Sequence, residues 1–132
     1  MTPNARAAYM DASIATASPA QLLVMLYQRL VLDVRRGLEA QRLHNHQEAH
    51  LQLTHAQDIV MELQSSLKAE MFVGGEDLAA LYGYLHRQLI IANVRKNAEI
   101  TEHCLVLVTD LCETWSQAAV QSTQQTAQAK TA

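Results

Sequence analysis

The sequence predicts an all-α protein, an antiparallel up-down four-helix bundle. The chain has 132 residues, a length that suits one domain with its own core. Its composition is 49% hydrophobic but only 5% aromatic, with 4 Gly and 2 Pro, which favours long helices over sheets. Apolar residues recur every three or four positions in four segments joined by short connections. Short connections make consecutive helices antiparallel.

We expect residues 1–120 to form a single domain. Residues 1–17 are Ala-rich and weakly patterned, and we expect a short N-terminal helical segment there. Residues 121–132 are rich in Gln, Ser and Thr and offer nothing to bury, so the sequence predicts a disordered C-terminal tail.

The first long helix has a clear start signal. Ser18 can cap it, Pro19 occupies a position where a missing N–H costs nothing, and Gln21 can complete a capping box. The apolar row of this helix comprises Leu22, Leu26, Leu30, Val34 and Leu38, widened by Leu23, Tyr27 and Val31. A row this broad can contact more than one neighbouring helix.

The second helix is predicted to start near His46, because Asn45 and Glu48 repeat the capping arrangement. Its apolar residues are Ala49, Leu53, Ala56, Val60, Leu63 and Leu67, with Ile59 beside them. The alternating spacing of four and three is typical of helices that pack at a shallow angle in bundles.

Two further breaks separate the third and fourth helices. Gly74-Gly75 predicts a turn, and the acidic pair that follows it suits the start of a helix. Lys96-Asn97 predicts a second, tight junction. The third helix carries Leu78, Tyr82, Leu85, Leu89 and Ala92, and the fourth carries Ile100, Cys104, Leu107, Leu111, Trp115 and Ala118.

Charge and hydropathy exclude several classes of partner. The net charge is -3 and no basic stripe is present, so we expect no nucleic-acid binding. The N-terminus does not resemble a signal peptide, and the longest aliphatic runs fall far short of the roughly 20 residues that span a bilayer. We therefore expect a cytoplasmic protein without membrane insertion. Cys104 and Cys112 are expected to be reduced, small apolar residues.

No set of residues predicts catalysis, a cofactor or a metal. His46 and His50 have a chelating spacing, but they lack the further ligands that a zinc site needs, so we interpret them as surface histidines. The Glu-x-x-His pairs of a di-iron bundle do not occur, and neither cysteine has the signature of a nucleophile. We expect no enzyme.

Apolar surface remains after the core of a bundle is accounted for. The run Leu22–Tyr27 and the run Leu89–Ala92 exceed what one buried face needs. The excess can form a groove for an amphipathic helix, or it can consist of ordinary scattered exposed residues. Both interpretations stay open on these patterns alone.

Three segments resemble a known family, the FliS flagellar export chaperones. Residues 17–27, ASPAQLLVMLY, are similar to the opening of that family's first long helix. Residues 81–85, LYGYL, followed by Leu89 and Ala92-Asn93, are similar to its third-helix motif. Trp115 matches a characteristic late tryptophan, and Tyr9 fits the tyrosine of the N-terminal segment. The resemblance covers about residues 5–119.

The resemblance implies a cytoplasmic chaperone that binds the amphipathic C-terminal segment of flagellin. Such a chaperone prevents premature polymerisation and delivers flagellin to the export apparatus. It also implies that the N-terminal segment can cover the groove when no client is bound. The resemblance leaves open whether export-gate components and a second copy of the chain are further partners.

For the client contacts we expect helices two and three and the exposed parts of helix one. The expected partner-binding residues are Tyr9, Met25, Tyr27, Ile59, Leu63, Leu81, Tyr82, Leu85 and Asn93. Each of them could equally serve internal packing. Two alternatives compete: a helical-bundle signalling or dimerisation module without a secretion client, and a metal-dependent enzyme that uses His46 and His50. Co-purification with flagellin separates the first from a chaperone, and metal analysis tests the second.

Overall fold

The computed structural model describes residues 18–71 and 73–131, with side chains described as far as residue 121. Four α-helices follow one another: α1 (Pro19–Arg42), α2 (His46–Ser66), α3 (Gly75–Val94) and α4 (Ala98–Thr131). A short 3-10 helix, Ala69–Met71, lies between α2 and α3. No β-strand occurs in the described part of the chain. The predicted all-α class is confirmed.

The helices pack as an up-down bundle. Each helix contacts the next along the chain, and α4 returns to pack against α1, so that α1 and α3 lie on one diagonal. The connections between α1 and α2 and between α3 and α4 are three residues long, from 43 to 45 and from 95 to 97. Such short connections reverse the chain direction, which confirms the predicted antiparallel arrangement.

Capping side chains define the starts of the first two helices. At α1, Ser18 Oγ accepts from the Gln21 N–H (3.2 Å), and Gln21 Oε1 accepts from the Ser18 N–H (2.8 Å), which is the predicted capping box. At α2, Asn45 Oδ1 accepts from the Glu48 N–H at 3.2 Å. The reciprocal bond is absent from this cap, because the Asn45 N–H donates to the Ala40 carbonyl oxygen at 2.8 Å.

Backbone geometry explains the two other junctions. Gly74 has a φ of +83°, and a Cβ on Gly75 would lie 2.1 Å from the Ala69 carbonyl oxygen, so both positions favour glycine. Lys96 has a φ of +52°, which ends α3. Asn97 Oδ1 then accepts from the N–H groups of Glu99 and Ile100 at the start of α4.

The core runs along the bundle axis and contains most of the predicted apolar rows. In α4, Val108 is buried where the sequence predicts Leu107, and Ala118 is exposed. Its fully buried members include Tyr27, Leu30, Val34, Leu53, Val60, Tyr82, Leu85, Leu89, Cys104 and Val108. Leu22, at the start of the predicted α1 row, is instead 37% exposed, because the first turns of α1 lie at an end of the bundle that the other helices cover only partly.

The last helix is longer than the apolar pattern indicates. Its backbone stays helical to Thr131, through most of the segment for which the sequence predicts a disordered tail. Ala and Gln are good helix formers, and adding a residue to an existing helix costs little, which accounts for the extension. The predicted N-terminal segment, residues 1–17, lies outside the described residues.

Candidate protein-binding groove

An apolar groove of about 320 Å³ opens at the end of the bundle where α1 and α3 begin and α2 ends. We call it the end groove. Its lining comprises Leu23, Leu63, Ser66, Leu67, Lys68, Met71, Leu78, Tyr82 and Trp115. Its aliphatic walls are only partly covered: Leu23, Leu67 and Leu78 are half-buried, and Met71 is 71% exposed. The groove therefore presents apolar surface that the four helices leave uncovered.

Two aromatic side chains, Tyr82 and Trp115, line the end groove, and the buried Tyr27 contacts both of them. The rings of Tyr27 and Trp115 stack with centroids 6.4 Å apart and planes 13° from parallel. The Tyr27 hydroxyl shares a hydrogen bond with the Tyr82 hydroxyl across the core. Burial is the largest cause that raises the pKa of both tyrosines above the usual value. Both phenols are therefore neutral hydrogen-bonding groups in the folded protein at physiological pH.

The structure distributes the predicted contact residues over three kinds of position. Five of them are buried in the core: Tyr27, Ile59, Leu63, Tyr82 and Leu85. Of these, Leu63 and Tyr82 also line the end groove. Met25 and Leu81 are half-buried, and Asn93 lies at the other end of the bundle. Tyr9 lies outside the described residues. Their contact with a partner stays a prediction.

The apolar runs that exceed the needs of a core are partly exposed. In the first run, Leu22 is exposed, the next four residues are half-buried and Tyr27 is buried. In the second run, Ile90 is 37% exposed and Ile91 is half-buried. Only the first run contributes to the end groove, through Leu23.

His46 and His50 are exposed, as the surface interpretation predicts, and His50 and His55 each hydrogen-bond a side chain of a neighbouring helix. His55 Nδ1 hydrogen-bonds Asp33 Oδ2, and the fully buried Asp33 also accepts from Arg29 Nε at 3.0 Å. His50 Nδ1 accepts from Asn93 Nδ2 at 3.0 Å. Between residues 18 and 131, with position 72 left aside, no group of three or more His, Cys, Asp or Glu side chains is arranged to hold a metal ion. None of the helices described is long and apolar enough to cross a membrane.

Sequence reasoning missed most of the groove walls. Leu67 and Leu78 belong to the predicted apolar rows, and Met71 lies in the connection between α2 and α3, so none of them differs in pattern from a core or loop residue. Their position along the helices could have indicated exposure, because Leu23, Leu67 and Leu78 all lie within a few residues of a helix end. A helix end has fewer neighbours than a helix centre, and apolar residues there remain partly exposed.

Comparison with known proteins identifies what the chain is similar to. A family model described as flagellar protein FliS matches residues 1–122. The flagellar secretion chaperone FliS of Bacillus subtilis (strain 168) is 29% identical over 115 residues, which is 87% of this chain and 86% of that protein. A solved structure described as a flagellar chaperone from bacteria has a TM-score of 0.71 at 20% identity and covers 89% of this chain and 97% of its own. The structural match shows a shared fold.

Proposed function

Because this chain belongs to the FliS family of flagellar proteins, we propose that it is a flagellar export chaperone that binds the C-terminal segment of flagellin. Binding would cover the apolar stripe through which that segment otherwise polymerises, and the complex would then be delivered to the export apparatus. The observation that carries the proposal is the end groove, an uncovered apolar surface on a bundle of the FliS fold.

The groove has the chemistry that an amphipathic helix needs. Leu23, Leu67 and Leu78 supply aliphatic walls, and the stacked Trp115 supplies a flat apolar surface. Burial of such surface contributes roughly 25 cal/mol per Å², and ordering a disordered client offsets part of that gain. The balance is an affinity that protects the client and still allows its release.

The buried tyrosines lie beneath the groove and do not belong to its exposed walls. We propose that the client contacts the half-buried and exposed walls, while Leu63 and Tyr82 form a fixed floor beneath it. Of the other expected contact residues, Met25 and Leu81 are half-buried beyond the groove lining, and Asn93 is remote from it.

The N-terminal segment is the proposed occupant of the groove in the absence of flagellin. Residues 1–17 connect directly to α1 at Ser18, at the end of the bundle where the groove opens. In this proposal Tyr9 substitutes for a client side chain. Deletion of residues 1–14 should increase both flagellin affinity and the binding of a hydrophobic fluorescent dye. Unchanged values for both would contradict the competition.

The FliS family is a family of chaperones rather than enzymes, and we propose that this chain likewise has no catalytic activity. A cytoplasmic location follows from the proposed role, since the client must be held before export. Export-gate components and a second copy of the chain are further proposed partners.

Charged substitutions in the groove test the function. Met71→Glu places a carboxylate on the exposed groove wall, where an apolar client would have to desolvate it. In calorimetric titrations with a peptide of the flagellin C-terminal segment, we expect this variant to bind at least about tenfold more weakly. Met71 is 71% exposed, so the fold should tolerate the change.

The matched control is Val94→Glu, at the opposite end of α3 and 73% exposed. It adds the same charge and should leave the affinity unchanged, and circular dichroism should show equal helicity for both variants. Equal loss of binding in the two variants, or loss in neither, would overturn the proposed site. Failure of the unmodified chain to retain flagellin, with C-terminally truncated flagellin as the reference, would overturn the function.

A further inference from the structure

Two adjoining rows of side chains lie on the outer surface between α1 and α4. Neighbours within each row are three or four residues apart, so each row follows one side of its helix. The α4 row comprises Glu102, Val106, Thr109, Glu113, Ser116 and Val120. The α1 row comprises Val24, Gln28, Leu32, Arg35, Glu39 and Arg42. The ion pair between Arg42 and Glu102, at 3.3 Å, shows that the rows adjoin, and we call this surface the α1–α4 face.

Apolar side chains remain uncovered on the α1–α4 face. Val106 is 57% exposed and Val120 is 56% exposed. Val24 and Leu32, in the α1 row, are half-buried. A single exposed apolar residue is ordinary, but several on one face form a surface that a partner can cover.

Charge is divided between the two helices of this face. From residue 98 to residue 121, α4 carries four acidic residues and no lysine or arginine. In contrast, α1 carries four arginines and two acidic residues, one of which is the buried Asp33. Among the described residues, neither the exposed Arg35 nor the exposed Glu113 belongs to an ion pair. The face therefore has a basic half and an acidic half, each with an unpaired charge.

A face with two oppositely charged halves can be complementary to itself. We propose that two copies of the chain associate through their α1–α4 faces, about a two-fold axis parallel to the helices. This axis places α1 of each copy on α4 of the other, so that each basic half meets an acidic half. A two-fold axis perpendicular to the helices would place α1 on α1 and α4 on α4. That arrangement opposes like charges and is disfavoured.

The pair between Arg42 and Glu102 sets the level of the two helices along the bundle axis. Seven residues from this pair along each helix, Arg35 is level with position 109. Position 109 is four residues, or roughly 6 Å, from Glu113. A two-fold axis parallel to the helices preserves these levels. The guanidinium group of Arg35 in one copy would therefore reach the carboxylate of Glu113 in the other.

The apolar residues agree with the same register, and the size of the face indicates the strength of the contact. Eighteen residues from the ion pair, Val24 is level with Val120, so the two valines would meet between copies. From Val24 to Arg42 the face is about 28 Å long, and two helices are about 20 Å wide. Two copies would then bury roughly 1,100 Å² in total, near the lower limit of a specific interface. We expect a reversible dimer that dissociates on dilution.

Sedimentation velocity of the full chain tests the association. Between about 5 and 500 µM, the sedimentation coefficient should rise from the value of a monomer towards that of a dimer. Because salt screens exposed charges, the dissociation constant should increase at least about threefold between about 0.05 and 0.5 M NaCl. A chain that stays monomeric at every concentration would overturn the proposal. A dimer whose dissociation constant does not change with salt would overturn it as well.

Charge reversal identifies the face. Arg35→Glu and Glu113→Arg each oppose like charges, and each should weaken association at least about tenfold. The double variant restores opposite charges and should recover the dissociation constant to within about threefold of the original. The matched control is Arg87→Glu, which makes the same change of charge at an exposed position of α3 and should have no effect.

The variants also give outcomes that contradict the proposal. Association that survives either single reversal, or that the double variant fails to recover, would mean that the copies use another face. Equal weakening by Arg87→Glu would assign the effect to net charge and would overturn the face too. Circular dichroism checks that helicity is unchanged. None of the residues of the α1–α4 face lines the end groove, so the inference does not rest on flagellin binding and a failed flagellin titration leaves it standing.

Discussion

The hydroxyl groups of Tyr27 and Tyr82 meet in the core and share a hydrogen bond that joins α1 to α3 across the bundle diagonal. Trp115 of α4 stacks on the Tyr27 ring. A buried hydroxyl that loses its partner must remain unsolvated, which costs more than the bond contributes when it is made. This relationship connects the floor of the end groove to the stability of the bundle.

Removing one hydroxyl should therefore cost more than half of the stability that is lost when both are removed, because the remaining hydroxyl stays buried without a partner. We expect Tyr27→Phe to lower the free energy of unfolding by about 1–3 kcal/mol, because it leaves the Tyr82 hydroxyl without its partner. Tyr82→Phe should cost a similar amount, because it leaves the Tyr27 hydroxyl without its partner. Urea denaturation of both single variants and the double variant measures the coupling. Strictly additive losses would show that the hydroxyl pair contributes no coupling energy.

Stability should fall in alkaline solution. Burial raises the pKa of the Cys104 thiol from 9.0 to about 12, and it raises the pKa values of Tyr27 and Tyr82 above 10.0. The unfolded chain loses these protons first, so stability is fully present below about pH 9 and is lost as the pH rises from there through 12. For each group that is protonated in the folded chain and deprotonated in the unfolded chain, the free energy of unfolding falls by about 1.4 kcal/mol per unit rise in pH.

Denaturation curves between pH 8 and pH 11 check this expectation. The double variant Tyr27→Phe, Tyr82→Phe serves as the control, because it removes two of the titrating groups and should show a shallower loss. An equally steep loss in the variant would assign the alkaline sensitivity to other residues.

Two helical glycines should respond differently to alanine. A Cβ on Gly37 would lie 2.7 Å from Leu53 Cδ2 in the core, whereas a Cβ on Gly83 would meet only the Arg87 and Gln64 side chains at 3.4 and 3.7 Å. Gly37→Ala should cost about 1–3 kcal/mol through overpacking, partly offset by helix propensity. Gly83→Ala should be neutral or should stabilise by up to about 1 kcal/mol. Thermal melts compare the two, and a stabilising Gly37→Ala would contradict the tight packing of α1 on α2.

The buried carboxylate of Asp33 should matter more than the exposed pair between Arg42 and Glu102. Asp33→Asn removes the charge that binds both Arg29 and His55, and we expect a loss of about 1.5–3 kcal/mol. The control Glu102→Gln breaks an ion pair whose side chains are both more than half exposed, and should cost less than about 1 kcal/mol. Chemical denaturation measures both, and comparable losses would indicate that water reaches Asp33.

The local features of the molecule could be predicted from the sequence. The capping box at Ser18, the break at Gly74-Gly75 and the alternating apolar spacing each involve residues within about one or two helical turns. Interactions of that range depend on the helical repeat and not on the neighbouring helices. For the same reason the predicted helix starts agree with those observed, while the end of α4 does not follow from its apolar pattern.

The sequence by itself determined the four helices, their order and their apolar faces, because these follow from spacing along the chain. Only the tertiary structure decided that Tyr27, Ile59 and Leu85 are core while Leu23 and Met71 line a groove. It also decided that Gln41 would be buried beside a cavity with one acceptor unpaired. Exposure depends on how far the neighbouring helices extend and where their connections turn away, and no periodicity within a single helix encodes that distance.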